Sequence, residues 1–190
     1  MGEQRMESAE DLPEVVRSWI GEERYVEKTE FPIEMGYVLT TLSATQNANA
    51  LYWDEAVAQE LTGGPITLPT MASVWFRPHD WSPGRTKPAV ALQLHFDLKD
   101  ELGLPEAVMS DNTMVFGEPI RPGDELTTTQ ILYSVSARKT TKLGTGRFWD
   151  FGVRMVNQKG ELCAEERYTG FGYNRDTPAA SITMKSQEVK

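Results

Sequence analysis

Two amides, a phenol and a carboxylate fall within eight residues of chain, as Asn47, Asn49, Tyr52 and Asp54 in the stretch Ser43-Ala-Thr-Gln-Asn-Ala-Asn-Ala-Leu-Tyr-Trp-Asp54. Such groups can hold a water or a substrate oxygen by hydrogen bonds, and the carboxylate can also take a proton. They also have a purely structural use: Asn tolerates the left-handed backbone that ends a helix, and Asp54 suits the N-cap of a helix from Glu55 to Glu60. Both uses stay open on spacing alone. A second polar set is Arg138, Lys139 and Lys142 with Gly144 and Gly146, in a loop between extended segments. A charged loop is ordinarily solvated, and its alternative use is to meet phosphate groups. Only two histidines exist, so a Ser-His-Asp triad would need His79 or His95, and neither adjoins a Gly-x-Ser-x-Gly motif. His79, Asp80 and Trp81 read as a surface or interface loop.

The bulk composition narrows what this chemistry can serve. At 190 residues the chain is long enough for one well-buried core and short for two. A net charge of −9 argues against binding a phosphate backbone and against docking on anionic membranes. The single cysteine, Cys163, excludes an internal disulfide and a thiolate zinc site, and reads as an inert packing thiol. No apolar run approaches the ~20 residues of a membrane span. A cytoplasmic protein without a metal is the expectation.

The elements that must position these residues follow from periodicity. Leu12, Val15, Val16, Trp19 and Ile20 share one helical stripe, which predicts a helix over Glu10 to Glu22 in an N-terminal extension of residues 1–24. Tyr25 to Glu30 reads as a short connector or extended segment, and Ile33 to Gln46 as a helix. A short helix follows from Asp54 to Leu61, stopped by Gly63-Gly64. Thr70 to Phe76 is apolar nearly all round, as a buried helix or a buried strand; Thr70 after Pro69 favours helix. Arg77 to Pro88 is irregular, and Leu92 to Leu102 has helical spacing. Thr113 to Phe116, Asp124 to Ala137, Gly146 to Asn157 and Glu161 to Asn174 predict a meander of long antiparallel strands, with hairpin signals at Arg121-Pro-Gly-Asp124 and Asn157-Gln-Lys-Gly160. Helices followed by antiparallel strands give an α+β fold. Residues 25–175 form its domain and 176–190 a flexible polar tail.

The order of these motifs resembles the MaoC-like enoyl-CoA hydratase and dehydratase family, and within it the N-terminal-type half domain. The patch at 43–54 stands where the family carries A-T-G-D-x-N-P-L-H/Y-x-D. Ile66-Thr-Leu-Pro-Thr-Met71 matches its Pro-rich entry to a buried helix. Phe116-Gly-Glu-Pro-Ile-Arg-Pro-Gly-Asp124 is similar to F-x-R-P-L-R-x-G-D, and Asn157-Gln-Lys-Gly-Glu-Leu-Cys-Ala-Glu-Glu165 to N-x-D-G-E-L-V-A-x-x. The resemblance implies a single hotdog fold, a long antiparallel sheet wrapped around a buried helix. It also implies hydration of α,β-unsaturated acyl thioesters of coenzyme A, with no cofactor beyond the coenzyme A of the substrate and no metal.

In that family an Asp and a His hold and deprotonate the water, while backbone N–H groups near the buried helix polarise the thioester carbonyl. The Asp position falls on Asn47 and the His position on Tyr52, whereas Asn49, Leu51 and Asp54 match and Gln46 and Ala50 replace the Gly and Pro. An amide has no basic lone pair, and a phenol keeps its proton near neutral pH. The resemblance therefore implies a degenerate, non-catalytic subunit of a heteromeric hydratase, whose partner chain supplies Asp and His and whose acyl group is bulky, such as a steroid side chain. Asn47, Asn49, Tyr52, Thr70, Met71 and Trp75 are its expected substrate-side residues, and Arg138, Lys139 and Lys142 its expected contacts to coenzyme A phosphates. Trp75, Phe76 and Trp81 would bury in a partner interface or line a wide pocket. Rival expectations are a stand-alone thioesterase using a carboxylate such as Asp54, and a non-enzymatic acyl-thioester binding or scaffold protein.

Overall fold

The computed structural model describes residues 11–78, 81–87 and 90–175. Residues 1–10, His79, Asp80, Pro88, Ala89 and the tail 176–190 lie outside the described residues.

Long runs of Thr, Val, Tyr and Phe form one antiparallel sheet, as β-branched and aromatic side chains suit a pleated, half-buried surface. Its strands are β1 (Glu23–Lys28), β2 (Glu106–Phe116), β3 (Thr127–Val135), β4 (Lys139–Thr141), β5 (Gly144–Val156) and β6 (Leu162–Asn174). The order across the sheet is β1-β3-β5-β6-β2, with the short β4 paired to β5. The β5–β6 hairpin turns at Asn157, whose Oδ1 accepts from the N–H groups of Lys159 and Glu161, both at 3.0 Å. This is the expected hairpin.

The other expected hairpin is corrected. Arg121 to Asp124 does form a turn, with the Asp124 carboxylate accepting from Arg121 N at 2.7 Å. The strands on either side of it, β2 and β3, are separated by β5 and β6. The connection crosses between opposite halves of the sheet and finds partners elsewhere. Thr67 N donates to Ile120 O at 2.8 Å, Gly123 N donates to Ile33 O at 2.7 Å, and the Arg121 guanidinium meets the carbonyls of Thr62, Gly64 and Pro65. Those bonds satisfy the crossing backbone, so the turn need not be closed by neighbouring strands.

The helices in chain order are α1 (Glu14–Trp19), α2 (Met35–Ala44), α3 (Ala50–Trp53), α4 (Glu55–Thr62), α5 (Ala72–Trp75, after a 3₁₀ turn at Pro69–Met71) and α6 (Gln93–Glu101). Tyr25 to Glu30, expected as a short connector or extended segment, is extended through Lys28 as part of the edge strand β1. The longest helix over the sheet is α6, whose Leu94, His95 and Leu98 are buried against Leu132, Trp149 and Phe151. This corrects the expectation of a buried helix at Thr70 to Phe76. That segment is only two short turns, and it reads as apolar all round because its two sides have different tasks. Met71, Ala72 and Phe76 are buried, whereas Val74 is 52% exposed.

Trp149 explains the glycines of β6. Its indole lies flat across the strand, and a Cβ at Gly170 or Gly172 would sit 2.6 or 2.2 Å from the ring. Its Nε1 donates to His95 Nδ1 at 3.2 Å, which ties α6 to the centre of the sheet. A second, smaller apolar cluster joins Val38 and Leu42 of α2 to Leu68 and Met71, with Tyr52 and Trp75 packed against it. Cys163 is buried, and that burial pushes its thiol up to about 11, as expected of an inert packing thiol.

Candidate functional site

The polar patch is built from caps. Helix α2 ends at Ala44, and Gln46 takes a left-handed φ of +51° that reverses the chain. Asn47 Oδ1 accepts from Asn49 N at 3.0 Å, and Asn47 O accepts from the Trp53 indole at 2.7 Å. Asn49 Oδ1 caps the unforeseen turn α3 through Leu51 N at 3.0 Å. Asp54 caps α4 as the sequence predicts, accepting from Ala56 N and Val57 N at 2.9 and 3.3 Å, and Gly63 closes α4 at φ +70°.

These residues do not converge. Asn47 and Asp54 line a shallow depression of about 540 Å³ with Gln46, Ala50 and Trp53. Tyr52 does not line it and packs, partly buried, against the small cluster of Val38, Leu42, Leu68 and Met71; its hydroxyl makes no hydrogen bond among the described residues. Thr70 is exposed on the 3₁₀ turn, and Met71 is buried. Of the expected substrate-side residues, Trp75 alone lines the larger cleft described next.

That cleft has a volume of about 760 Å³ and lies between β1, the 29–33 loop, α5 with the residues after it, and the start of α6. Its apolar wall includes Tyr37, Val74, Trp75, Phe76 and Val90, with Tyr37 and Trp75 meeting edge-to-face at 6.3 Å. Lys28, Arg77 and Arg85 bring cations to its lining, and Arg85 pairs with Glu30 at 3.0 Å. Arg138, Lys139 and Lys142 line neither cavity. They sit around β4 at the hairpin into β5, all exposed, with Lys139 Nζ 5.8 Å from the Phe148 ring. Trp81 is 76% exposed.

One polar cluster, which touches the cleft through Tyr25 and Gln93, was not foreseen. The Tyr25 hydroxyl hydrogen-bonds Asp97 Oδ2, and Gln93 Nε2 donates to Asp97 Oδ1 at 2.7 Å. Burial pushes the Asp97 carboxyl above its usual value, opposed by the nearby Arg24 guanidinium. The spacing of Gln93 and Asp97, one helical turn apart, is a sequence signal for such a pair; Tyr25 carries none. At the same helix start, Leu94 N donates to Gln130 Oε1 at 3.0 Å, and Gln130 Nε2 donates to Ala91 O at 3.2 Å. The buried amide of Gln130 thus occupies a backbone donor at the N-terminus of α6.

The chain matches the model of the family described as "FAS1-like, dehydratase domain region" over residues 18–166, and it belongs to that family. It is similar to a probable enoyl-CoA hydratase alpha subunit of Thermomonospora curvata, at 25% identity over 167 residues, 85% of this chain and 51% of that protein. The chain therefore spans about half the length of that curated relative. Among solved structures it is similar to one in the ChsH1-ChsH2 complex of Mycobacterium tuberculosis, at 19% identity and TM-score 0.66, over 83% of this chain and 87% of that one. It is also similar to the MaoC-like dehydratase of Rhodospirillum rubrum, at 16% identity and TM-score 0.55, over 90% of this chain and 99% of that one. The fold is the hotdog fold expected from the sequence, and the resemblance to MaoC-like dehydratases is borne out. Among the described residues no cluster of metal-ligating side chains occurs, and no helix is long and apolar enough to cross a membrane.

Proposed function

We propose that this chain is the pocket-forming, non-catalytic subunit of a heteromeric enoyl-CoA hydratase, working with a hotdog partner that supplies the Asp and His. The observation that carries this reading is the state of the two positions where the family's proton-transfer pair falls. Asn47 serves a turn and Tyr52 packs against an apolar cluster, and neither an amide nor a neutral phenol offers a base. The start of α6 points the same way. A donor that could meet a thioester carbonyl is satisfied from inside the protein by Gln130.

Edge strand β2 supports the partner in this reading. It runs for 11 residues with its far side unpaired among the described residues, and Met109 and Phe116 are 41% and 53% exposed on the face it shares with Ala164 and Gly170. An unpaired edge of this length, with exposed apolar side chains at both ends, is a template for pairing with another chain. The acyl-thioester substrate is supported by the cleft, whose volume of about 760 Å³ suits a bulky acyl group on the scale of a steroid side chain. The coenzyme A would enter as part of that substrate, with the protein acting in the cytoplasm.

The test is co-expression with a short MaoC-like protein whose Asp and His are intact, followed by a 2-enoyl-CoA hydration assay. The reading expects co-purification and turnover by the pair, with background rates for this chain alone. Enzyme-like turnover by the isolated chain would contradict it. Tight acyl-CoA binding with no turnover in any partner mixture would instead favour a non-enzymatic binding protein.

A further inference from the structure

Strand β6, next to the free edge β2, holds two polar groups that the chain itself leaves unsatisfied. Glu166 alternates with Ala164 and Tyr168 of the main core, so it shares the inner face of the sheet with them. Glu166 and Tyr168 are each only 6% exposed. Asn112 Nδ2 donates to Glu166 Oε1 at 2.9 Å, but Glu166 Oε2 and the Tyr168 hydroxyl are buried without a hydrogen-bond partner. Burial, and then the neighbouring Glu166, push the Tyr168 hydroxyl above its usual value, and the charge of Arg77 opposes them. Neither neighbour reaches hydrogen-bonding geometry with it. Native interiors leave few such groups unpaired, and each costs the fold stability.

Register fixes the direction from which a partner group would come. Asn112 lies opposite Tyr168, Met114 opposite Glu166 and Phe116 opposite Ala164, so these residues of β2 share the inner face with the buried pair. Asn112 and Phe116 are exposed there. A strand added to the free side of β2 would run two strand spacings from β6, about 9–10 Å. The long stem of a lysine or arginine spans that gap, and a serine or threonine does not. Charge favours the same residues. Strand β2 carries Glu106 and Asp111 and no base, in a chain of net charge −9. Arg175 answers Glu106 at 3.3 Å, which leaves Asp111 as the exposed charge of the edge.

We propose that Glu166 and Tyr168 form a socket for a lysine or arginine side chain of the partner, reached across Asn112 of β2. This rests on β2 being the edge where the hotdog partner docks. Asn112, exposed and bonded to Glu166 Oε1, is the side chain that shifts to admit the cation. The cation then donates to both unpaired oxygens, and the buried acid gains the charge partner it lacks. A trapped water, or a bond between the two side chains themselves, would serve the isolated fold instead. Neither of those depends on a residue of the partner, so coupling across the interface is the deciding readout.

The experiment titrates the full chain with a short MaoC-like protein whose Asp and His are intact, by calorimetry, beside the melting temperature of each free variant. The variants are Glu166→Gln and Tyr168→Phe, and either alone decides the matter should the other fail to fold. In Glu166→Gln the Asn112 donor keeps the remaining oxygen, so an NH₂ group replaces the unpaired acceptor. Binding is expected to weaken by about tenfold in Glu166→Gln and about fivefold in Tyr168→Phe, with each free chain melting no lower than wild type. Replacing the basic residues of the partner's pairing strand by Met, one at a time, should find one whose loss weakens binding to wild type and not to Glu166→Gln. The proposal is overturned if the folded variants bind within about twofold of wild type, or if no basic residue of the partner couples to Glu166 or Tyr168. Should Met109→Lys with Phe116→Lys still abolish binding in that case, the edge reading stands without the socket. Absence of any binding by wild type overturns both.

Discussion

At the scale of single residues, the account turns on which side chains can move a proton and which only hold a shape. Asn47 is a turn residue and Tyr52 a packing residue, so restoring the family's side-chain types should not restore chemistry. The double variant Asn47→Asp/Tyr52→His is expected to give no hydration above background, measured with a 2-enoyl-CoA. It should also be less stable than the parent, because the imidazole enters the apolar cluster of Val38, Leu42, Leu68 and Met71. His95 gives a second residue-level prediction. Burial, with a smaller contribution from Lys99, lowers its pKa from 6.5 to about 4. Between those values the unfolded chain binds a proton that the folded chain refuses. Stability therefore falls as pH drops through 6.5 towards 4, by about 3 kcal/mol in total from this group. Urea unfolding across that window should show the loss, and His95→Gln should flatten its slope while lowering stability at pH 7. Neither effect was legible in the sequence, where His95 was simply one of two histidines. Its neighbours Trp149 and Phe151 lie more than fifty residues away, and only the fold brings them together.

At the scale of elements, local signals were readable and long-range pairings were not. Asp54 and Gly63 delimit α4 as their chemistry dictates, and the Asn157 hairpin forms where its residues demand it. Removing the α4 cap with Asp54→Ala should cost about 1 kcal/mol in thermal or chemical unfolding. The turn at Arg121 to Asp124 shows the limit. Its local chemistry was read correctly, but whether a turn joins neighbours or crosses a sheet depends on backbone partners at Ile33, Thr62 and Thr67 that periodicity cannot reveal. The buried helix was misplaced for a related reason. Thr70 to Phe76 and Leu92 to Leu102 both carry apolar stripes, and only the sheet decides which one covers it. The bulge in β1 at Tyr25 and Val26 leaves no trace in composition at all. Gly172 belongs to this scale too: Gly172→Ala would push a methyl group to 2.2 Å from Trp149, where the strand and the indole leave no room. The expected destabilisation is about 2–3 kcal/mol by denaturant unfolding.

At the scale of the whole molecule, a hotdog sheet of the FAS1-like dehydratase family carries a cleft of about 760 Å³, and in the proposed reading its Asn47 and Tyr52 have left proton transfer to a partner. In that reading the exposed β2 edge is where the catalytic partner docks. Met109→Lys with Phe116→Lys should abolish co-purification of a MaoC-like partner while leaving the melting temperature of the isolated chain nearly unchanged, since both side chains are exposed in it. The most direct test of the central claim is the hydration rate of a 2-enoyl-CoA by the purified full chain, measured before and after adding a MaoC-like partner with intact Asp and His. The account predicts a background rate before and enzyme-like turnover after. Robust turnover before any partner is added would contradict it.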